Sequence, residues 1–132
     1  MYKRLIVRLK PARSNPAKWV LALLFAACAS QAGARECAPA MKDGWVRLPP
    51  AAMPMMAGFG RIANPCPAPV VIVSASSPAF GEVSLHETRI VDGVSRMREL
   101  EELRIAPDGD ATFKPGGMHL MLMQPRASLK EG

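Results

Sequence analysis

Residues that stop helices and start turns recur along this chain at intervals of seven to sixteen positions. Pro49-Pro50, Asn64-Pro65, Ser77-Pro78, Asp92-Gly93, Asp108-Gly109 and Pro115-Gly116-Gly117 punctuate everything after residue 40. Each fixes or frees the backbone in a way that favours a reversal of direction. Thirteen prolines in 132 residues leave little room for long helices. No window carries a sustained 3.6-residue apolar period either. The segments between the turns are short and rich in β character, and we read strands at 45–48, 58–63, 70–74, 83–91, 94–100, 111–113 and 118–123. Many short strands joined by Gly/Pro turns predict an all-β fold, a Greek-key sandwich or barrel, in one domain. There is no internal repeat. The one biased tract is "PPAAMPMMAG", 49–58, a loop with three methionines, Met53, Met55 and Met56.

The first 34 residues read differently. Lys3, Arg4, Arg8, Lys10, Arg13 and Lys18 form a basic start, and an apolar run over 19–29 is too short to span a bilayer. Ala32-Gly33-Ala34 then offers small residues where a signal peptidase needs them, so 1–34 is expected to be a signal peptide cleaved before Arg35. A rival reading takes Phe25-Ala26-Ala27-Cys28 as a lipoprotein box with Cys28 acylated. Both readings export the protein, to the periplasm, with 35–132 as its folded domain and no membrane span.

That division decides what the charge means. The formal net charge is +6, but six of the seventeen Lys and Arg residues precede residue 19 and no acid precedes Glu36. The exported part therefore carries eleven of each sign and is near neutral. It lacks the basic surface that nucleic-acid binding requires, so that class is excluded. With Cys28 in the leader, Cys37 and Cys66 remain as an even pair in an oxidising compartment, and a disulfide between them is expected. Two free thiols serving as copper ligands would not stay reduced there.

Both histidines of the chain lie on segments with strand alternation. In "MHLMLM", 118–123, His119, Met121 and Met123 share one face, and Leu120 and Leu122 point to the other, the natural core side. A two-residue turn at Asp92-Gly93 would pair Val91 with Val94 and, counting outward, Thr88 with Met97. His86 shares the face of Thr88 and becomes a diagonal neighbour of Met97, roughly 7–8 Å away. Singly, each of these is what an ordinary core methionine or surface histidine looks like. Together, two His/Met pairs from separate hairpins suggest one site. Thioethers are soft and neutral, and two imidazoles with two thioethers suit tetrahedral Cu(I) far better than zinc, magnesium or calcium. A blue-copper electron-transfer site would need a thiolate, and neither cysteine lies near these strands.

The spacing H-x10-M-x21-H-x-M, with "DGWVRLPP", "SSPAFGEVSLHET", "DGVSRMREL" and "KPGGMHLMLM" around it, resembles the periplasmic PCu(A)C copper chaperone family from Asp43 to the end of the chain. The resemblance implies a cupredoxin-like β-sandwich that binds one Cu(I) per chain through His86, Met97, His119 and Met121. It also implies delivery of copper to the binuclear CuA centre of cytochrome c oxidase, alongside a Sco-type thioredoxin-like protein. Family members usually continue past "SLKEG" with a further hairpin, so a sandwich short of that hairpin is expected. A monomer without catalysis is expected too, since no nucleophile–base motif is present and the two histidines are accounted for as ligands. Copper sequestration and a metal-free exported interaction module are the competing readings.

Overall fold

The computed structural model describes residues 2–4, 7–12 and 37–130. Ten strands run in chain order as β1 (Tyr2–Arg4), β2 (Arg8–Pro11), β3 (Ala40–Arg47), β4 (Met55–Ala63), β5 (Val70–Ser76), β6 (Phe80–Val91), β7 (Val94–Glu99), β8 (Leu103–Ile105), β9 (Asp110–Phe113) and β10 (Met118–Pro125). They form two sheets. The larger has the order β1-β3-β4-β10-β6-β7, with β9 also paired to β4, and the smaller is β2-β5-β8. The fold is an all-β, cupredoxin-like sandwich. Among the described residues no helix is long and apolar enough to cross a membrane.

The apolar residues facing the gap between the sheets make the core. Ile72 and Ile105 come from the small sheet, and Val46, Ile62, Leu85, Ala111, Phe113, Leu120 and Leu122 from the large one, with Phe80 closing one end. Leu120 and Leu122 are fully buried, each worth roughly 1.5–3 kcal/mol of apolar transfer. The leucine side of β10 is thus the core side, as alternation requires. That commits His119, Met121 and Met123 to the opposite, outer face of the sheet.

All seven expected strands are present, most of them longer than expected. One strand is missing from the sequence reading: Leu103–Ile105 is only three residues long. Such a segment is too short to show alternation, and its place is set by pairing with β5. Two pieces of the expected leader also lie along sheet edges, β1 against β3 and β2 against β5. Exposed edges carry unpaired N–H and C=O groups and accept any extended neighbour. The apolar run at 19–29, Cys28 and the junction before Arg35 fall outside the described residues.

A disulfide joins Cys37 to Cys66. Beside it Asn64 is fully buried and acts as a knot. Its amide donates to the carbonyls of Ala68, Ile105 and Ala106, and its oxygen accepts from the Cys66 N–H. This corner lies beyond the Ala63 end of β4, whereas the outer-face methionines face the Met55 end.

Candidate metal centre

Three registers define the outer face. β10 pairs with β6 so that His119 stands opposite His86, Met121 opposite Ser84 and Met123 opposite Glu82. β6 pairs with β7 so that Thr88 stands opposite Met97 and His86 opposite Glu99. On its other side β10 pairs with β4, Met121 facing Ala57 and Met123 facing Met55. The register on β7 depends on the turn. Asp92 and Gly93 both have positive φ, 52° and 74°, the backbone of a two-residue hairpin turn whose twist matches the strands it joins. Val91 therefore meets Val94 and every pair behind it follows. The expected placement of Thr88 against Met97 holds.

His119 is buried, only 8% exposed, although it faces away from the core. Its Nδ1 lies 3.0 Å from the Gly117 carbonyl oxygen. A carbonyl can only accept, so Nδ1 carries the proton and donates. The same oxygen accepts from the Thr88 N–H at 3.1 Å, which ties the loop to β6. The loop reaches this position because Gly116 adopts φ 80°, a conformation open to glycine. In neutral His119 the other nitrogen, Nε2, is then a bare lone pair. It points at the Met97 sulfur, 3.2 Å away. A thioether has no proton to offer, so two electron-pair donors face each other with no hydrogen between them. Such an arrangement suits a shared cation.

The His86 ring lies 5.9 Å from that of His119, centroid to centroid. Its Nε2 is 3.0 Å from the Ser84 hydroxyl, and its Nδ1 is buried with no hydrogen-bond partner. An unpaired buried ring nitrogen costs free energy unless something else binds it. Met121 is half-buried on the same face, two residues along β10 from His119, or roughly 7 Å. Met97, by contrast, is 56% exposed. The site is thus open at its β7 side and closed at its β10 side. The described residues hold no group of three or more His, Cys, Asp or Glu arranged for a metal. Any metal on this face must rely on the thioethers.

The structure brings His86, Met97 and His119 together, with Met121 adjacent on the same face. Sequence reasoning missed the residues that orient them. Ser84 could have been found by alternation, since it shares the face of His86 two residues on. The Gly117 carbonyl could not, because a backbone acceptor leaves no mark on residue type. The β4–β10 ladder ends at the Leu120–Gly58 pair, and the next residue of β4 is the buried Phe59. Phe59 packs against Trp45 with ring centroids 4.5 Å apart. Glu87 sits on the inward-facing side of the same hairpin. Its carboxyl is held below the ordinary carboxylate value, chiefly by a hydrogen bond from Arg89, which outweighs the opposing effect of burial and is reinforced by a weaker contribution from Arg98. Those contacts are 2.8 Å and 3.1 Å long.

A family model described as "Putative lipoprotein LpqE-like" matches residues 40–132. A curated relative, "Putative lipoprotein Lxx21020" of Leifsonia xyli subsp. xyli (strain CTCB07), is 33% identical over 93 residues, covering 70% of this chain and 55% of the relative. The chain therefore spans little more than half the length of that relative. Among solved structures, the apo PCuAC domain from PmoF1 superposes with a TM-score of 0.53 at 18% identity, over 70% of this chain and 72% of that one. The copper-bound PCuAC domain from PmoF2 gives a TM-score of 0.53 at 17% identity, over 70% and 71%. The fold implied by the resemblance to PCu(A)C proteins is therefore the fold observed, and the chain belongs to the LpqE-like family.

Proposed function

We propose that this chain is an exported Cu(I)-binding protein that holds one copper ion between His86, Met97, His119 and Met121 and passes it on without catalysis. The observation that carries the reading is the 3.2 Å approach of His119 Nε2 to the Met97 sulfur, with the Nδ1 proton committed to Gly117. The orphaned Nδ1 of His86 adds a further donor in search of a partner. All four side chains are neutral ligands, and two of them are soft, which favours a monovalent copper ion over the harder divalent metals. The exposed Met97 gives the ion a route in and out. A transfer protein needs such a route, and a closed storage site would not have one.

The ion's destination rests on the resemblance to PCu(A)C proteins, which points to the CuA centre of cytochrome c oxidase and a Sco-type protein as partners in delivery. The copper-bound state of the PmoF2 PCuAC domain supports copper as the cargo. The lipoprotein description of the family supports the second leader reading, an exported form anchored through an acylated Cys28. The test is an anaerobic titration of the exported domain with Cu(I) against a chromophoric chelator. A tight site that survives competition and is lost in His119→Ala is the expected result. A protein that leaves all Cu(I) on the chelator would sink the reading.

A further inference from the structure

The outer face carries more sulfur than the proposed site uses. Met123 lies on the same face as Met121, one strand repeat further along β10. Met55 stands directly across from it on β4, and Glu82 directly across on β6. The row Met55–Met123–Glu82 thus crosses three adjacent strands. Directly opposed side chains have Cβ atoms roughly 4.5–5.5 Å apart, within the span over which two thioethers can hold one ion. Met53 approaches from the loop before β4, where it and Met55 border the same groove of about 330 Å³. The loop is fixed there by a 3.0 Å hydrogen bond from the Gln124 N–H to the Pro54 carbonyl.

Packing does not account for two of these residues. Met53 is 48% exposed and Met55 47% exposed. Core-filling methionines are buried, as the neighbouring Met56 partly is against the core. Exposed flexible apolar side chains gain little from packing. Met55 and Met123, directly opposed beside the Glu82 carboxylate, with Met53 bordering the same groove as Met55, make a donor set for a soft monovalent cation.

We propose that Met53, Met55 and Met123 form a second thiophilic-cation site, taking Cu(I) or Ag(I), about one strand repeat beyond Met121 on the same face. It uses none of the four residues of the first site. Its ligands are all thioethers with no imidazole, so it binds more weakly and fills second. An ion captured there stands next to Met121, which makes this row a landing place on the way to the inner site.

Silver(I) is a redox-inert probe of both sites. The exported domain is titrated with Ag(I) while the ε-methyl resonances of 13C-methyl-labelled methionine are followed. Met97 and Met121 should shift over the first equivalent, and Met53, Met55 and Met123 over the second. The Met55→Leu, Met123→Leu double variant keeps volume and apolarity and should bind one ion where the wild type binds two. In His86→Ala, His119→Ala the Met55 and Met123 shifts should persist. Saturation of the wild type at one equivalent with Met55 and Met123 unmoved would overturn the second site. So would disappearance of their shifts in the histidine variant, since these methionines would then belong to the first site. Shifts at Met55 and Met123 with Met97 and Met121 silent would instead overturn the inner site and leave this one standing.

Discussion

The imidazole of His86 stands directly across from that of His119 on neighbouring antiparallel strands, with ring centroids 5.9 Å apart. Strand pairing alone brings the chain's two histidines onto one outer face, and the β6–β7 hairpin then sets Met97 beside them. If these residues bind metal, methionines on the same face become controls for one another. Met→Leu at a merely packed position should cost less than about 1.5 kcal/mol of stability. At a ligand position it removes a donor. Met97→Leu and Met121→Leu should each weaken the first Cu(I) at least ~10-fold, which corresponds to about 1.4 kcal/mol. His86→Ala and His119→Ala should be at least as severe. Met123→Leu and Met55→Leu should leave the first ion bound nearly as in the wild type. Competition with a Cu(I) chelator measures each, and equal affinities for Met121→Leu and Met123→Leu would break the assignment.

Much of this face could be read before any coordinates, because its determinants are local. The Asp92-Gly93 turn fixes the register of β7, and the alternation in "MHLMLM" fixes which side of β10 meets the core. Two short-range signals therefore predict the neighbours Thr88–Met97 and the shared face of His119 and Met121. The long-range facts were not legible. Nothing in residue types says that β10 inserts between β4 and β6, yet that insertion puts His119 against His86 and Met123 against Met55. The burial of His119 was not expected for an outward-facing residue. It goes with the loop at Pro115-Gly116-Gly117 folding back to put the Gly117 carbonyl on the ring, which depends on tertiary placement.

The disulfide should act on the fold and leave the metal alone. Ala57, across from Met121, and Ala63, at the far end of β4, are six residues apart, or roughly 20 Å. Cys66 lies beyond Ala63. A bridge closing a loop of 29 residues contributes ~3–4 kcal/mol in the chain-entropy picture. The Cys37→Ser, Cys66→Ser variant should lose stability of that order in chemical denaturation and keep its Cu(I) affinity. A folded double variant with weakened copper binding would show that the sulfurs take part in the site.

Glu87 links the hairpin to acidity. Its arginine partners lower its folded-state value relative to the unfolded chain, so the folded state favours the ionised form. The stabilisation is therefore complete above the ordinary carboxylate value and is lost as pH falls through the depressed folded value. Glu87→Gln should be less stable than the wild type at neutral pH, and the two should converge in strong acid. Because Arg98 is next to Met97 on β7, the same variant should loosen the exposed side of the site. Denaturation midpoints across the acid range test this, and a gap between the two proteins that does not narrow on acidification would refute it.

Ser84 decides which nitrogen of His86 is free. Its hydroxyl lies 3.0 Å from Nε2, while Nδ1 is buried without a partner. If Ser84 accepts a hydrogen bond from Nε2–H, Nδ1 keeps a bare lone pair and is ready for a metal. If Ser84 donates instead, Nδ1 carries a hydrogen and has no lone pair to offer. Either tautomer leaves Nδ1 a buried unsatisfied group, at a cost of about 1–3 kcal/mol, but only in the first can a bound ion relieve it. Metal binding therefore selects the first arrangement, and Ser84 serves as the partner that holds the tautomer of a ligand histidine. Removing such a partner typically lowers metal affinity by about 10–100-fold. Ser84→Ala should accordingly weaken Cu(I) binding toward the lower end of that range, less than His86→Ala does, with folding intact. Nitrogen-15 spectra of the imidazoles should show His86 protonated at Nε2 and bound through Nδ1 in the Cu(I)-loaded wild type. An Ser84→Ala protein that binds Cu(I) more tightly, with Nε2 as the donor, would mean that the hydroxyl competes with the metal for that nitrogen.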